Sequence, residues 1–142
     1  MTDLAPLALA CYAAEICGGL SAENVTVLHL PPDGEFAYVV ISTARSERQA
    51  YAVVDAAVGF CKQHKVDHRP TQGEAGWYLL DCHQVVIHAL GEPQREFYQL
   101  ERLWKKATVI DWQAEVAKLP KLAPVPAKRQ RSAEGIAEAD AE

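Results

Sequence analysis

The run Phe36–Thr43, FAYVVIST, constrains this chain more than any other stretch. Its centre, Val39-Val40-Ile41, is continuously apolar. A strand without polar alternation needs cover on both faces, so the chain must build layers on either side of a sheet. The next residues begin one such layer. Ser46-Glu47-Arg48-Gln49 fits an S-x-x-Q capping box. In it the Ser46 hydroxyl accepts from the Gln49 amide while the Gln49 side chain reaches back. The helix it opens carries Ala50, Val53, Val54, Ala57, Val58 and Cys61 on one face and is predicted to end near His64.

Other elements follow from the same rules. Leu4, Leu7, Ala8, Cys11, Ala14 and Glu15 recur at helical spacing over residues 3–20, with Gly18-Gly19 as the stop. Val25–Leu30 reads as a strand closed by Pro31-Pro32-Asp33-Gly34. A short strand is expected over Val66–Arg69, after which Pro70 and Gly73 break the chain. Trp77–Asp81 and Val85–Leu90 are rich in β-branched and aromatic residues, and only Cys82-His83-Gln84 separates them. They are predicted to form a hairpin. A helix is expected over Pro93–Lys105, with Phe97, Leu100, Leu103 and Trp104 on one side and Glu101–Lys105 as an i, i+4 pair. Beyond Trp112, three prolines and successive basic and acidic runs predict a flexible tail over residues 113–142, leaving 1–112 as the folded domain. The order α-β-β-α-β-β-β-α mixes a crossover with a hairpin. That gives an α/β fold, a mixed β-sheet of about five strands flanked by helices.

The chain, at 142 residues and 49% hydrophobic, suits a single domain that needs no disulfide or metal staple. No apolar run is long enough to span a bilayer, and MTDLAPLALACYAAE lacks a basic leader region, so a cytoplasmic protein is expected. Residues 1–112 hold 9 Lys/Arg against 14 Asp/Glu and so carry the whole net charge of −5. Such a body is ill suited to phosphate backbones and better suited to a basic protein partner, although plain solubility explains the charge as well.

Catalytic signatures are missing. The sequence has no P-loop, no G-x-G-x-x-G and no G-x-S-x-G. Asp81 and His88 can meet across the hairpin, yet no Ser or Cys completes a triad, and Asp81, Glu92 and Glu101 show no convergence as acid–base partners. The four cysteines at 11, 17, 61 and 82 form no C-x-x-C, and Cys82, His83 and His88 have no recognised ligand spacing. We therefore expect no enzyme, no cofactor and no metal, with the thiols buried or half-buried. What stands out is the stretch 73–104, where aromatic residues interleave with Asp81, His88, Arg95, Glu101 and Arg102. Trp, Tyr and Arg are the usual anchors of protein interfaces. Phe97 and Leu100 read as core. Trp77 fits core and interface equally, Tyr98 and Glu101 lie off the apolar stripe, and Asp81 suits either a turn or a partner.

The chain resembles a known family at these residues. W-Y-L-L-D, V-V-I-H and R-E-F-Y-Q-L-E-R-L-W are similar to the W-x-L-L-D, V-V-V-H and R-x-F-Y-x-L-E-x-L-W hallmarks of the ribosomal silencing factor (Iojap-like) family, and A-Y-V-V-I-S-T-A-R-S-E-R-Q matches its D-Y-F-V-I-A-T-G-x-S-x-R-Q segment. The resemblance implies a nucleotidyltransferase-like fold without the catalytic carboxylates. It also implies binding to large-subunit ribosomal protein 14, which blocks subunit joining and represses translation when nutrients are short. The partner-binding residues it implies are Trp77, Asp81, His88, Arg95, Tyr98 and Glu101. The basic run Lys128, Arg129 and Arg131 adds a weak ribosomal RNA contact, and the free protein is read as a monomer or a homodimer. Two further readings are a large-subunit assembly factor and a catalytically dead relative that still holds a nucleotide. Ala37, Ala44, Gln72 and Cys82-His83-Gln84 depart from the family's Asp, Gly, Glu and Tyr-Gly-Asp. Ala44 is expected to alter the bend after its strand, and the turn substitutions to alter contacts at the hairpin tip.

Overall fold

The computed structural model describes residues 4–32, 35–99, 102 and 104–122. Helix α1 (Pro6–Gly19) leads into strands β1 (Glu23–His29) and β2 (Tyr38–Ala44), then helix α2 (Glu47–Gln63). Strands β3 (Gln72–Glu74), β4 (Trp77–Asp81) and β5 (Val85–Gly91) follow, and then helix α3 (Glu92–Tyr98), strand β6 (Thr108–Ile110) and helix α4 (Trp112–Ala117). The sheet order is β3-β4-β5-β2-β1-β6. Among the described residues only β2 and β5 pair in parallel, with Ile41 opposite His88; the other pairings are antiparallel.

The apolar run in β2 is covered on both sides, as its composition requires. Val40 joins Val27, Val85, Ile87 and Leu80 in a core shared with α1 and α2, whereas Val39 and Ile41 face Leu28, Leu30 and Leu90 on the other side. Helix α1 buries eight residues between Leu9 and Cys17, on all its sides. It is therefore an interior helix rather than a one-faced surface helix. Helix α2 begins as predicted, with the Ser46 hydroxyl accepting from the Gln49 amide at 3.0 Å. The reciprocal half differs: Gln49 Oε1 accepts from Arg45 N and its Nε2 donates to the Leu20 carbonyl. Ala44 is not among the left-handed residues and sits in strand register opposite Gly91.

The structure corrects three expectations. The sheet has six strands, not about five, because β6 pairs with β1. Val66–Arg69 is not a strand; its Arg69 amide donates to the Asp81 carbonyl, and the strand forms at Gln72–Glu74 instead. There the two-residue loop Ala75-Gly76 has positive φ at both positions, which matches the twist of a tight hairpin. Helix α3 ends at Tyr98 rather than Lys105, since Gln99 adopts the left-handed conformation. The expected Glu101–Lys105 pair falls partly outside the described residues.

The folded body also passes the expected boundary at 112. Helix α4 is capped by Asp111, whose carboxylate accepts from the Ala114 amide. Trp112, Val116, Leu119 and Leu122 pack on the helical core. Trp112 Nε1 donates to the Val25 carbonyl at 3.2 Å, and the Tyr12 hydroxyl donates to the Pro120 carbonyl. The basic run at 128–131 lies outside the described residues. Among the described residues no helix is long and apolar enough to cross a membrane.

Candidate functional site

Alternation along β4 and β5 sends Tyr78, Leu80, Ile87 and Ala89 toward the helices and Trp77 and Leu90 to the opposite face. On that face Trp77 Nε1–H donates to His88 Nδ1 at 3.3 Å. His88 is 8% exposed. Burial pushes its pKa down from 6.5 to about 4, so the ring is neutral and its Nδ1 is free to accept. Trp104 lies on His88 with ring centroids 6.2 Å apart. Tyr98 lies 5.0 Å from Trp77, and Phe97 meets Tyr98 edge-on at 4.9 Å. The result is a continuous aromatic row, Trp104–His88–Trp77–Tyr98–Phe97, most buried at His88 and open at Phe97. Phe97 is 78% exposed and Tyr98 53%.

Helix α3 aims the open end. Gln94 Oε1 accepts from the Gly91 amide at 2.8 Å and its Nε2 donates to the Ala75 carbonyl, tying the helix start to β5 and to the β3–β4 turn. Arg95, expected at the partner surface, is instead buried at 5% exposure. Its guanidinium donates to the Asn24 carbonyl, Thr43 Oγ1 and Thr26 Oγ1 at 2.7–3.0 Å. Arg95 thus fixes α3 to β1 and β2, because the helix is too short to bury an apolar stripe. For the same reason Phe97 is surface and not core.

Of the six expected partner residues, the structure brings Trp77, His88 and Tyr98 together. His88, like Arg95, is buried in the chain. Asp81 stands apart at the hairpin end, where its carboxylate accepts from the His83 amide at 2.8 Å and holds the turn. His83 there has φ 71°, a left-handed residue without glycine's freedom. Glu101 lies outside the described residues. Sequence reasoning missed Phe97 as a surface anchor.

A second concavity, about 450 Å³, opens at the carboxyl ends of parallel β2 and β5, where α/β sheets commonly bind ligands. Glu23, Glu47 and Glu92 line it. The Ser46 hydroxyl is engaged in its cap and Arg45 Nη1 donates to the Ser21 carbonyl. Three carboxylates repel phosphate groups and the Ser46 cap occupies the Gln49 amide, which disfavours a nucleotide there. Among the described residues no group of three or more His, Cys, Asp or Glu is placed to hold a metal.

Comparison with known proteins gives the aromatic face its context. Residues 4–141 match the family described as ribosomal silencing factor during starvation. The chain belongs to the ribosomal silencing factor family. A Haemophilus influenzae ribosomal silencing factor is 29% identical over 103 residues, covering 69% of this chain and 99% of that one. The mouse protein named mitochondrial assembly of ribosomal large subunit protein 1 is 30% identical over 103 residues, covering 68% of this chain and 45% of its own length. A crystal structure of a Chromobacterium violaceum protein superposes with a TM-score of 0.68 at 22% identity, covering 89% of this chain and 98% of that one, and shares the fold. The segments W-Y-L-L-D, V-V-I-H and R-E-F-Y of this family member are the ones that supply Trp77, His88, Arg95, Phe97 and Tyr98.

Proposed function

We propose that this silencing factor binds large-subunit ribosomal protein 14 through its aromatic face and blocks subunit joining by its bulk. The observation that carries the reading is the pair of exposed rings, Phe97 and Tyr98, braced from behind by Trp77 and His88. Exposed aromatic side chains on a rigid support are typical interface anchors. Asp81 and Glu101 supply negative charge that meets Lys or Arg of a basic partner and steers its approach. His88 and Arg95 hold the anchors in place without touching the partner. The mechanism is steric and needs neither a catalytic group nor a cofactor, and it operates in the cytoplasm wherever free large subunits occur.

A joining assay with purified subunits tests this. Truncating an interface anchor typically costs about 2 kcal/mol, or roughly thirtyfold in affinity. Phe97→Ala/Tyr98→Ala should therefore need on the order of thirtyfold more protein to block joining, with an unchanged melting temperature because both rings are exposed. A folded double variant that blocks joining at the wild-type concentration would overturn the assignment. The mouse relative's name supports a second reading, action during large-subunit assembly. Sucrose gradients separate the two: silencing places the protein on mature large subunits, assembly on precursor particles.

A further inference from the structure

Two of the four cysteines meet in the core, far apart in sequence. Cys61, near the end of α2, and Cys82, the first residue of the β4–β5 turn, have their sulfurs 3.7 Å apart. Both residues are buried, at 1% and 5% exposure. Backbone bonds hold the contact from two sides. The Val66 amide donates to the Cys61 carbonyl, folding the chain after α2 back over it, and the Arg69 amide donates to the Asp81 carbonyl beside Cys82. The contact is open to solvent on its Cys82 side. A groove of about 210 Å³, lined by Leu9, Val66, Asp67 and His83, reaches Cys82.

We propose that Cys61 and Cys82 are a reversible thiol–disulfide pair that fastens the β4–β5 turn to the end of α2 when a hydroperoxide is present. The 3.7 Å separation is a thiol–thiol contact, and bond formation requires the sulfurs to close to about 2.0 Å. The hydrogen bond from the Cys82 thiol lowers the pKa of Cys61, whereas the same bond raises that of Cys82. The first proton therefore leaves Cys61, and thiolates are the reactive form. The Cys61 thiolate attacks one peroxide oxygen, the O–O bond breaks, and the hydroxide released takes up the proton Cys61 gave up. Cys61 is left as a sulfenic acid. The Cys82 sulfur then attacks the sulfenic sulfur, the S–S bond forms, and the departing hydroxide leaves as water with the Cys82 proton. Two thiols and one hydrogen peroxide become one disulfide and two waters, with the two electrons passing from sulfur to peroxide oxygen. A dithiol reductant reverses the bond by exchange. Cys11 and Cys17 differ in setting: both are buried on α1, and burial raises both to about 11.

Thiol counting on the full chain tests the assignment. The reduced protein, unfolded and treated with N-ethylmaleimide, takes up four labels, one for each cysteine. After hydrogen peroxide it should take up about half as many, with a 61–82 cross-linked peptide on digestion, and dithiothreitol should restore the full count. Cys61→Ala should keep its three remaining thiols under the same treatment, whereas Cys82→Ala should lose only the Cys61 thiol, as a sulfenic acid trapped by dimedone, and neither variant should form a disulfide. The wild-type peptide map stands whether or not those variants fold. A full count after peroxide, a cross-link joining Cys11 to Cys17 or one chain to another, or oxidation ending at sulfinic acid would each overturn the proposal.

Discussion

His88 makes the stability of this protein fall on mild acidification, by an amount the structure sets. The ring is buried among Trp77, Trp104 and the sheet, accepts one hydrogen bond from Trp77, and has its pKa pushed down from 6.5 to about 4. Above pH 7 the side chain is neutral in both folded and unfolded chains and contributes no pH dependence. Between 6.5 and about 4 the unfolded chain binds a proton that the folded chain refuses, so stability falls as pH falls. The full loss below pH 4 is about 3 kcal/mol, and at pH 5 it is already about 2 kcal/mol. Other titrating groups contribute as well, so the comparison must be differential. His88→Gln keeps an acceptor for Trp77 and takes no proton. Urea unfolding followed by circular dichroism at pH 7.5 and pH 5.0 gives the loss for each protein. The wild type should lose about 2 kcal/mol more than the variant over that interval. Equal losses would refute the reasoning and mean that His88 is solvated in the native state.

Three substitutions probe the frame of the fold. Arg95→Ala should destabilise by about 3 kcal/mol in denaturant titrations, because the buried Thr43 hydroxyl and the Asn24 carbonyl lose their donor. His83→Gly should raise stability by about 0.5–1 kcal/mol, as φ 71° suits glycine better than histidine. Trp112→Ala should lower it by about 2–3 kcal/mol, since a half-buried indole and its bond to the Val25 carbonyl are lost together; a melting temperature unchanged from wild type would show that α4 is not docked in solution.

The elements legible in the sequence were those specified locally. The Ser46 cap, the buried run of β2 and the β4–β5 hairpin each rest on residues a few positions apart, so their patterns show directly. The misses have a different cause. Strand β6 is three residues long and helix α4 six, too short to display a period. Both are fixed by partners in β1 and α1 far back in the chain. Helix α3 was extended because Phe97, Leu100, Leu103 and Trp104 mimic a continuous apolar face, while its actual stop, Gln99 in the left-handed region, is a residue with no turn signature. The candidate site was half visible. Motif resemblance singled out Trp77, His88, Arg95 and Tyr98, but which of them reach solvent depended on contacts the sequence does not display. The hydroxyls that hold Arg95 inward come from Thr26 and Thr43, on two other strands.

Helix α1, apolar on every side, has a cost during synthesis. One of its sides is covered by α4 and the residues after it, through Trp112, Val116, Leu119 and Leu122. Those residues are translated about ninety positions after α1 ends. At about 5–20 residues per second, the nascent chain carries an uncovered hydrophobic helix for roughly 5–20 s. The vectorial order of translation thus leaves the first helix as the last to be enclosed. Slowing elongation between α1 and α4 would lengthen that exposure and raise the demand on chaperones, without any change in the finished protein.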